Sequence, residues 1–238
     1  MRKIAIICGG DSSEHDVSMR SGAGLYSFFD KERYDVKLVE TRGLEWNVHL
    51  ADGIMAPIDR NDFTYMENGE KKNFDYVYIT IHGAPGENGV LQGYFELLGI
   101  PYSTCGVLVE ALTFDKFALN NYLRAFGVNV ADSVLIRKTD KQRPSNADVV
   151  ARLGLPCFVK PSADGSSYGV SKVKSVDEMD AALELAFSES DEVMIERLLA
   201  GTEITCGCFR RKNGDVVCFP ITEVALKGGD FFDYDAKY

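Results

Sequence analysis

The tract Phe158-Val159-Lys160-Pro161-Ser162-Ala163-Asp164-Gly165-Ser166-Ser167-Tyr168-Gly169-Val170 combines an ammonium with a turn that can bind an anion. A short apolar run ends in Lys160, a turn of small and hydroxyl-bearing residues follows, and a second apolar run returns. Successive backbone N–H groups of such a turn point into a common concavity, and a nearby ammonium adds a compact positive charge. Together they make a cradle for phosphate. A lysine at the end of a buried strand needs an anion to meet. Lys116 opens a helix, where the positive end of the macrodipole repels it, so it too fits an anionic ligand. The plain alternative at both positions is a surface lysine with a buried stem.

Two carboxylates stand where a nucleotide site needs them. Glu196 ends the run Val193-Met194-Ile195, whose strand edge can offer N–H and C=O groups to a purine. Glu203 follows and can accept hydrogen bonds from ribose hydroxyls. Further upstream, Gly9-Gly10-Asp11-Ser12-Ser13-Glu14-His15-Asp16-Val17-Ser18 occupies a strand-to-helix crevice where open sheets bind ligands. The spacing is not G-x-G-x-x-G, so a dinucleotide is not expected. Glu14 is suited to the ammonium of an amino acid, or else to stabilising the helix start. His82-Gly83-Ala84-Pro85-Gly86-Glu87-Asn88-Gly89 opens onto the same crevice, so His82 and Glu87 are candidates for lining a substrate pocket.

The elements that hold these groups divide the chain. Lys3–Cys8 is a continuous apolar run, as in a buried parallel strand. Ser13 and Asp16 read as a capping box for a helix carrying Val17, Ala23, Leu25 and Phe28. Strands are expected at Asp35–Glu40 and Phe74–Ile81, with an irregular segment from Gly43 to Asn73 that contains a hairpin at Asn68-Gly69. Pro101–Gly106 reads as a linker. A helix then starts near Thr113, with Phe114, Phe117, Tyr122 and Phe126 on its apolar positions and Gly127 ending it. Ser175 and Glu178 read as a capping box for a helix carrying Met179, Ala182, Leu183 and Ala186. Thr202–Arg210 and Val216–Val224 read as a hairpin turned at Asn213-Gly214. The first part is therefore α/β, a Rossmann-like parallel sheet, and the second is α+β with antiparallel sheet.

Composition narrows the function. A formal net charge of -10 argues against nucleic acid or an anionic membrane as partner. No apolar stretch reaches the length of a membrane span. The N-terminus runs straight into a strand, so no signal peptide is expected, and the location is expected to be cytoplasmic. Six scattered cysteines without a C-x-x-C, beside three histidines, point to reduced thiols rather than disulfides or structural zinc. Cys206 and Cys208 alternate along a strand and are expected to share a buried face.

The chain resembles the D-alanine–D-alanine ligases, ATP-grasp enzymes of bacterial peptidoglycan synthesis. The matching motifs occur in the family's order: Gly9-Gly10 through Glu14 to Val17-Ser18; His82-Gly83, Gly86-Glu87, Gly89 and Leu91-Gln92-Gly93; Asp115-Lys116; Val159-Lys160-Pro161 with Gly165-Ser166-Ser167; Ile195-Glu196; and Tyr234-Asp235-Ala236-Lys237-Tyr238. The resemblance implies a Rossmann-like domain over residues 1–104, a central ATP-grasp subdomain over 105–194, and the start of a C-terminal ATP-grasp subdomain over 195–238. It implies that Lys116 and Lys160, with Ser166 and Ser167, hold the α- and β-phosphates of ATP. Glu196, Arg197, Leu198 and Leu199 would contact adenine, Glu203 the ribose, and Lys237 the γ-phosphate. Glu14 would bind the ammonium of the first D-alanine. Glu14, Ser166 and Tyr238 would form a hydrogen-bonded catalytic set, a Tyr at this last position going with dipeptide rather than ester formation.

The same resemblance implies magnesium, with ligands expected beyond Tyr238, so the 238-residue chain alone is expected to be inactive. It also implies a homodimer. Another ATP-grasp carboxylate–amine ligase, a D-alanine–D-lactate ligase, and a non-catalytic nucleotide-binding fragment are the alternatives.

Overall fold

The computed structural model describes residues 1–163, 165 and 167–225. The expectations placed on Asp164, Ser166, Gly228-Gly229, Lys237 and Tyr238 lie outside the described residues. The chain forms two compact units, one of Met1–Val130 with Ser162–Gly165, the other of Ala131–Pro161 with the residues from Ser166 onward.

The first unit runs β1 (Arg2–Gly9), α1 (His15–Phe28), β2 (Tyr34–Arg42), β3 (Glu45–His49), β4 (Met55–Asp59), β5 (Thr64–Glu67), β6 (Glu70–Lys72), β7 (Tyr76–Ile79), α2 (Val90–Leu98), α3 (Val107–Phe114) and α4 (Lys116–Ala125). Its sheet has the order β6-β5-β4-β3-β2-β1-β7. Strand β1 pairs in parallel with both β2 and β7. Covered on both faces, β1 shows no polar alternation. Ala5 and Ile7 join the cluster of Phe63, Phe74, Leu91 and Phe95, while Ile4 and Ile6 join Val36 on the opposite face. Helix α1 lies close on the strand: a Cβ at Gly22 would stand 2.8 Å from that of Cys8.

The segment Gly43–Asn73, expected to be irregular, is instead an antiparallel meander of β3 to β6, and it contains the expected hairpin. Asn68 and Gly69 both take positive φ (53° and 77°), as a two-residue turn matched to strand twist requires.

Three expectations need correction here. The capping box of Ser13 and Asp16 does not form; Glu14 is the N-cap and no side chain caps it. Ser12 organises this turn instead, accepting from the Glu14 N–H (3.2 Å) and donating to the His82 carbonyl (2.8 Å). Phe28 is 87% exposed, because α1 buries Ser18 and Gly22 against the sheet and leaves its last turn outside. The helix expected from Thr113 is two helices, α3 and α4, broken at Asp115. The Asp115 carboxylate accepts from the Ala118 N–H (2.9 Å) and so starts a new helix rather than continuing the old one.

The second unit runs β8 (Ser133–Arg137), α5 (Asn146–Leu153), β9 (Cys157–Pro161), β10 (Ser171–Val173), α6 (Met179–Glu189), β11 (Glu192–Arg197), β12 (Ile204–Thr205), β13 (Cys208–Arg210), β14 (Val216–Cys218) and β15 (Thr222–Glu223). Strands β10-β9-β11-β8 form a wholly antiparallel sheet. Val149 and Leu153 of α5 and Met179, Ala182 and Ala186 of α6 pack on Cys157, Val159, Val193 and Ile195. By strand alternation, Phe158, Lys160, Met194 and Glu196 belong to the other face. Ser175 and Glu178 do bond (3.2 Å), but across a single 3-10 turn ahead of α6.

Residues 203–224 form the expected hairpin. Pairs β13–β14 and β12–β15 are its two ladders, and their registers differ by one residue. Between them Cys206 alone stands against Pro220 and Ile221, which is a β-bulge. Proline is tolerated there because a bulge position needs no ladder N–H.

Candidate functional site

In the first unit the candidate residues gather at the C-terminal ends of β1 and β7. Parallel strands side by side deliver their following loops to the same edge. The Asp11 N–H donates to the Ala84 carbonyl (3.0 Å), joining the loop after β1 to the loop after β7. Glu14 is 4% exposed within this edge. The backbone at Gly165 comes so near that a Cβ there would stand 2.7 Å from Glu14 Oε2. The turn after Lys160 therefore brings its glycine against a buried carboxylate. His82 presents Nε2 to Ser21 Oγ at 3.3 Å. Glu87 accepts from the Gly83 N–H (2.8 Å), which fixes the loop that carries both residues.

Glu87 and Lys116 line one cavity of about 210 Å³ with Glu110, Thr113 and Phe114. Asp115 holds Lys116 at the head of α4. Its carboxylate also accepts from Ser162 Oγ (2.7 Å), and the Lys116 N–H donates to the Ser162 carbonyl (2.7 Å). The Asp115 charge at the helix start offsets the macrodipole that disfavours an ammonium there. Burial raises the Glu110 carboxyl above its ordinary pKa, and the neighbouring Glu87 adds to the effect, although the Cys105 N–H bond opposes them.

In the second unit Lys160 and Glu196 form an ion pair across β9 and β11, with side chains 20% and 15% exposed. Lys160 stands opposite Met194 in the register, so Glu196 is its diagonal neighbour on the same face. The Arg197 guanidinium donates to the Leu153 (3.0 Å) and Arg152 (3.2 Å) carbonyls at the end of α5, where a cation complements the helix dipole. Leu199 is 67% exposed and Glu203 is exposed. Ser167 takes φ +62° in the turn that leads to β10.

Two stretches of the chain match the N-terminal and C-terminal models of one family. Residues 3–105 match the model described as "D-ala D-ala ligase N-terminus", and residues 122–238 match "D-ala D-ala ligase C-terminus". The D-alanine–D-alanine ligase of Phocaeicola vulgatus is 60% identical over 237 residues, which is 100% of this chain and 72% of that protein. This chain belongs to the D-alanine–D-alanine ligase family. Among solved structures, D-alanyl-alanine synthetase A from Vibrio cholerae superposes with a TM-score of 0.84 at 29% identity, covering 100% of this chain and 71% of that one. The ATP complex of the Bacillus anthracis D-alanine–D-alanine ligase gives 0.72 at 30% identity, covering 94% and 67%.

The roles of several residues around this ligase-family site escape a reading of the sequence. Asp115 and Ser162 organise Lys116, and Glu110 faces Glu87 in the cavity. Of these only Asp115 carries a local signal, as an N-cap residue directly ahead of an apolar-periodic run. Among the described residues no group of three or more His, Cys, Asp or Glu side chains could hold a metal ion. No described helix is long and apolar enough to cross a membrane.

Proposed function

We propose that this chain belongs to an enzyme that joins two D-alanines into D-alanyl-D-alanine at the expense of ATP, the cytoplasmic step that supplies peptidoglycan precursors, and that the 238-residue chain alone binds substrates without completing the reaction. The observation that best supports the substrate assignment is Glu14. It is a nearly fully buried carboxylate at the ligand-binding edge of a parallel sheet, with a glycine of the Lys160 turn against it. An amino acid's ammonium supplies a positive charge and three N–H donors, the groups that a carboxylate at such an edge can accept from.

A carboxylate is a poor acyl donor. The first D-alanine therefore takes the γ-phosphoryl group of ATP on a carboxylate oxygen, releasing ADP and leaving an acyl phosphate. The amine of the second D-alanine then attacks the carbonyl carbon, and the bond to phosphate breaks. In this reading Lys116, Lys160, Ser166 and Ser167 bind the α- and β-phosphates, and Lys237 binds the γ-phosphate. Glu196 to Leu199 contact the adenine, and Glu203 contacts the ribose. Glu14 anchors the first D-alanine and aligns Ser166 and Tyr238, while His82 and Glu87 shape the pocket. The ammonium groups offset charge that develops on the transferred phosphoryl group. Magnesium accompanies ATP in this reading, with its ligands expected beyond Tyr238, and would supply further charge neutralisation. An acyl phosphate hydrolyses in water, so a closing loop hinged at Gly228-Gly229 fits the chemistry. A homodimer and the three-part domain division over 1–104, 105–194 and 195–238 belong to the same proposal.

The test is a calorimetric titration of D-alanine into the 238-residue chain and its Glu14→Gln variant. Losing a charge-assisted contact worth about 1.5–3 kcal/mol should weaken binding at least tenfold, with L-alanine binding poorly to both proteins. Equal D-alanine affinity in the two proteins would remove Glu14 from the substrate site.

A further inference from the structure

The hairpin of the second unit places three thiols together, and none of the chemistry above uses them. Cys208 of β13 and Cys218 of β14 are direct cross-strand partners. The hydrogen bonds on either side define what kind of pair this is. The Arg211 N–H donates to the Asp215 carbonyl (2.8 Å), and the Phe219 N–H donates to the Gly207 carbonyl (2.8 Å). In an antiparallel ladder hydrogen-bonded and non-hydrogen-bonded pairs alternate. Pairs 211–215 and 207–219 are of the first kind and, counting inward, 208–218 is of the second. Such pairs bring their Cα atoms to about 4.5 Å, with side chains on the same face and close. This lies inside the window of about 4.4–6.8 Å that a disulfide spans without moving the backbone.

The third thiol lies beside them. Cys206 is two residues before Cys208, and its Sγ donates to the carbonyl of Phe219 (3.2 Å), the residue after Cys218. All three cysteines are exposed, whereas Cys8 and Cys157 are buried. This corrects the expectation that Cys206 and Cys208 share a buried face: both are exposed on the ribbon. The trio is not a metal centre, since no described group of three such side chains has the required convergence.

We propose that Cys208 and Cys218 form a reversible thiol–disulfide pair that staples β13 to β14, closing in response to a low-molecular-weight disulfide. The Cys208 thiolate attacks one sulfur of that oxidant and expels one of its halves as a thiol, leaving a mixed disulfide on Cys208. The Cys218 thiolate then attacks the Cys208 sulfur and expels the second half. The two protons of the protein thiols end on the two released small thiols, and the two electrons reduce the oxidant's S–S bond. The in-register geometry favours the second step, because the resolving thiol is already beside the sulfur it attacks. In a reducing compartment such a pair is open at rest and closes under oxidation.

The experiment treats the fully reduced 238-residue chain with glutathione disulfide. Before treatment four thiols (Cys105, Cys206, Cys208 and Cys218) should titrate under native conditions, and afterwards two. Tryptic mapping without reductant should join peptide 198–210 to peptide 213–227. Cys208→Ser and Cys218→Ser should each abolish the joined peptide, while Cys206→Ser should keep it. Three results would overturn the pair: glutathione adducts on both cysteines with no joined peptide, a joined peptide that survives Cys208→Ser, or joining only between separate chains. Because the substituted residues are exposed, each reduced variant should keep the native circular dichroism. That control separates a lost pair from a lost fold.

Discussion

Cys8 and the pair Cys208–Cys218 sit on strands of the same chain under opposite conditions. Cys8 lies in β1 between two parallel neighbours and beneath α1, with no exposure. Burial, with a smaller contribution from the nearby Glu40, pushes its thiol up to about 12. The ribbon cysteines are exposed on two antiparallel strands. The difference comes from topology. Parallel strands require crossover helices, and those helices cover the sheet on both faces. A short turn joins antiparallel strands directly and brings no crossover helix with it. The same contrast explains why the buried carboxylate Glu14 belongs to the first unit, whereas the ribbon offers only surface chemistry.

Stability should follow that contrast most strongly. Phe95 is fully buried among Phe63, Tyr94 and Leu91, so Phe95→Ala should cost about 3–5 kcal/mol in the first unit. The sole tryptophan, Trp46, packs edge-on to Phe63 and reports on that core by fluorescence during urea unfolding. Val216→Ala on the ribbon, where the side chain is 62% exposed, should change stability by less than about 0.5 kcal/mol and leave the Trp46 transition in place. A Val216 effect as large as that of Phe95 would mean that the ribbon is covered in solution.

A smaller effect concerns pH. The Glu110 carboxyl is raised by burial and by Glu87, so the folded first unit binds that proton more tightly than the unfolded chain. Its protonated form then favours folding below the unfolded carboxylate range, and this contribution is lost as pH rises through the folded pKa. Glu110→Gln should flatten that fall across the weakly acidic range while keeping an acceptor for the Cys105 N–H. A Trp46 unfolding midpoint with the same pH profile in both proteins would refute the assignment.

Much of this organisation was legible in the residues, for identifiable reasons. The apolar run of β1 and the Asn68-Gly69 and Asn213-Gly214 turns are local signals, and the structure keeps all three. The break at Asp115 was missed because Phe114 and Phe117 continue an apolar rhythm across it, while the capping bond that ends one helix and starts the next depends on a single side chain. The false capping box at Ser13 and Asp16 failed because Ser12 bonds to His82, seventy residues away, which no local pattern reports. The Lys160–Glu196 pair needs the adjacency of β9 and β11, a property of strand order rather than of either motif. The exposure of Cys206 and Cys208 likewise depends on what lies over a strand, and alternation tells only which residues share a face.

Lys160 is proposed to serve a polyphosphate, with its ion-pair partner Glu196 holding its ammonium in place until nucleotide arrives. Calorimetric titration of a non-hydrolysable ATP analogue into the 238-residue chain and its Lys160→Ala variant tests this most directly. Loss of a charge-assisted contact to phosphate should weaken nucleotide binding roughly 10- to 100-fold while leaving D-alanine affinity unchanged. Nucleotide affinity equal in the two proteins would contradict this role and leave Lys160 as the ion-pair partner of Glu196.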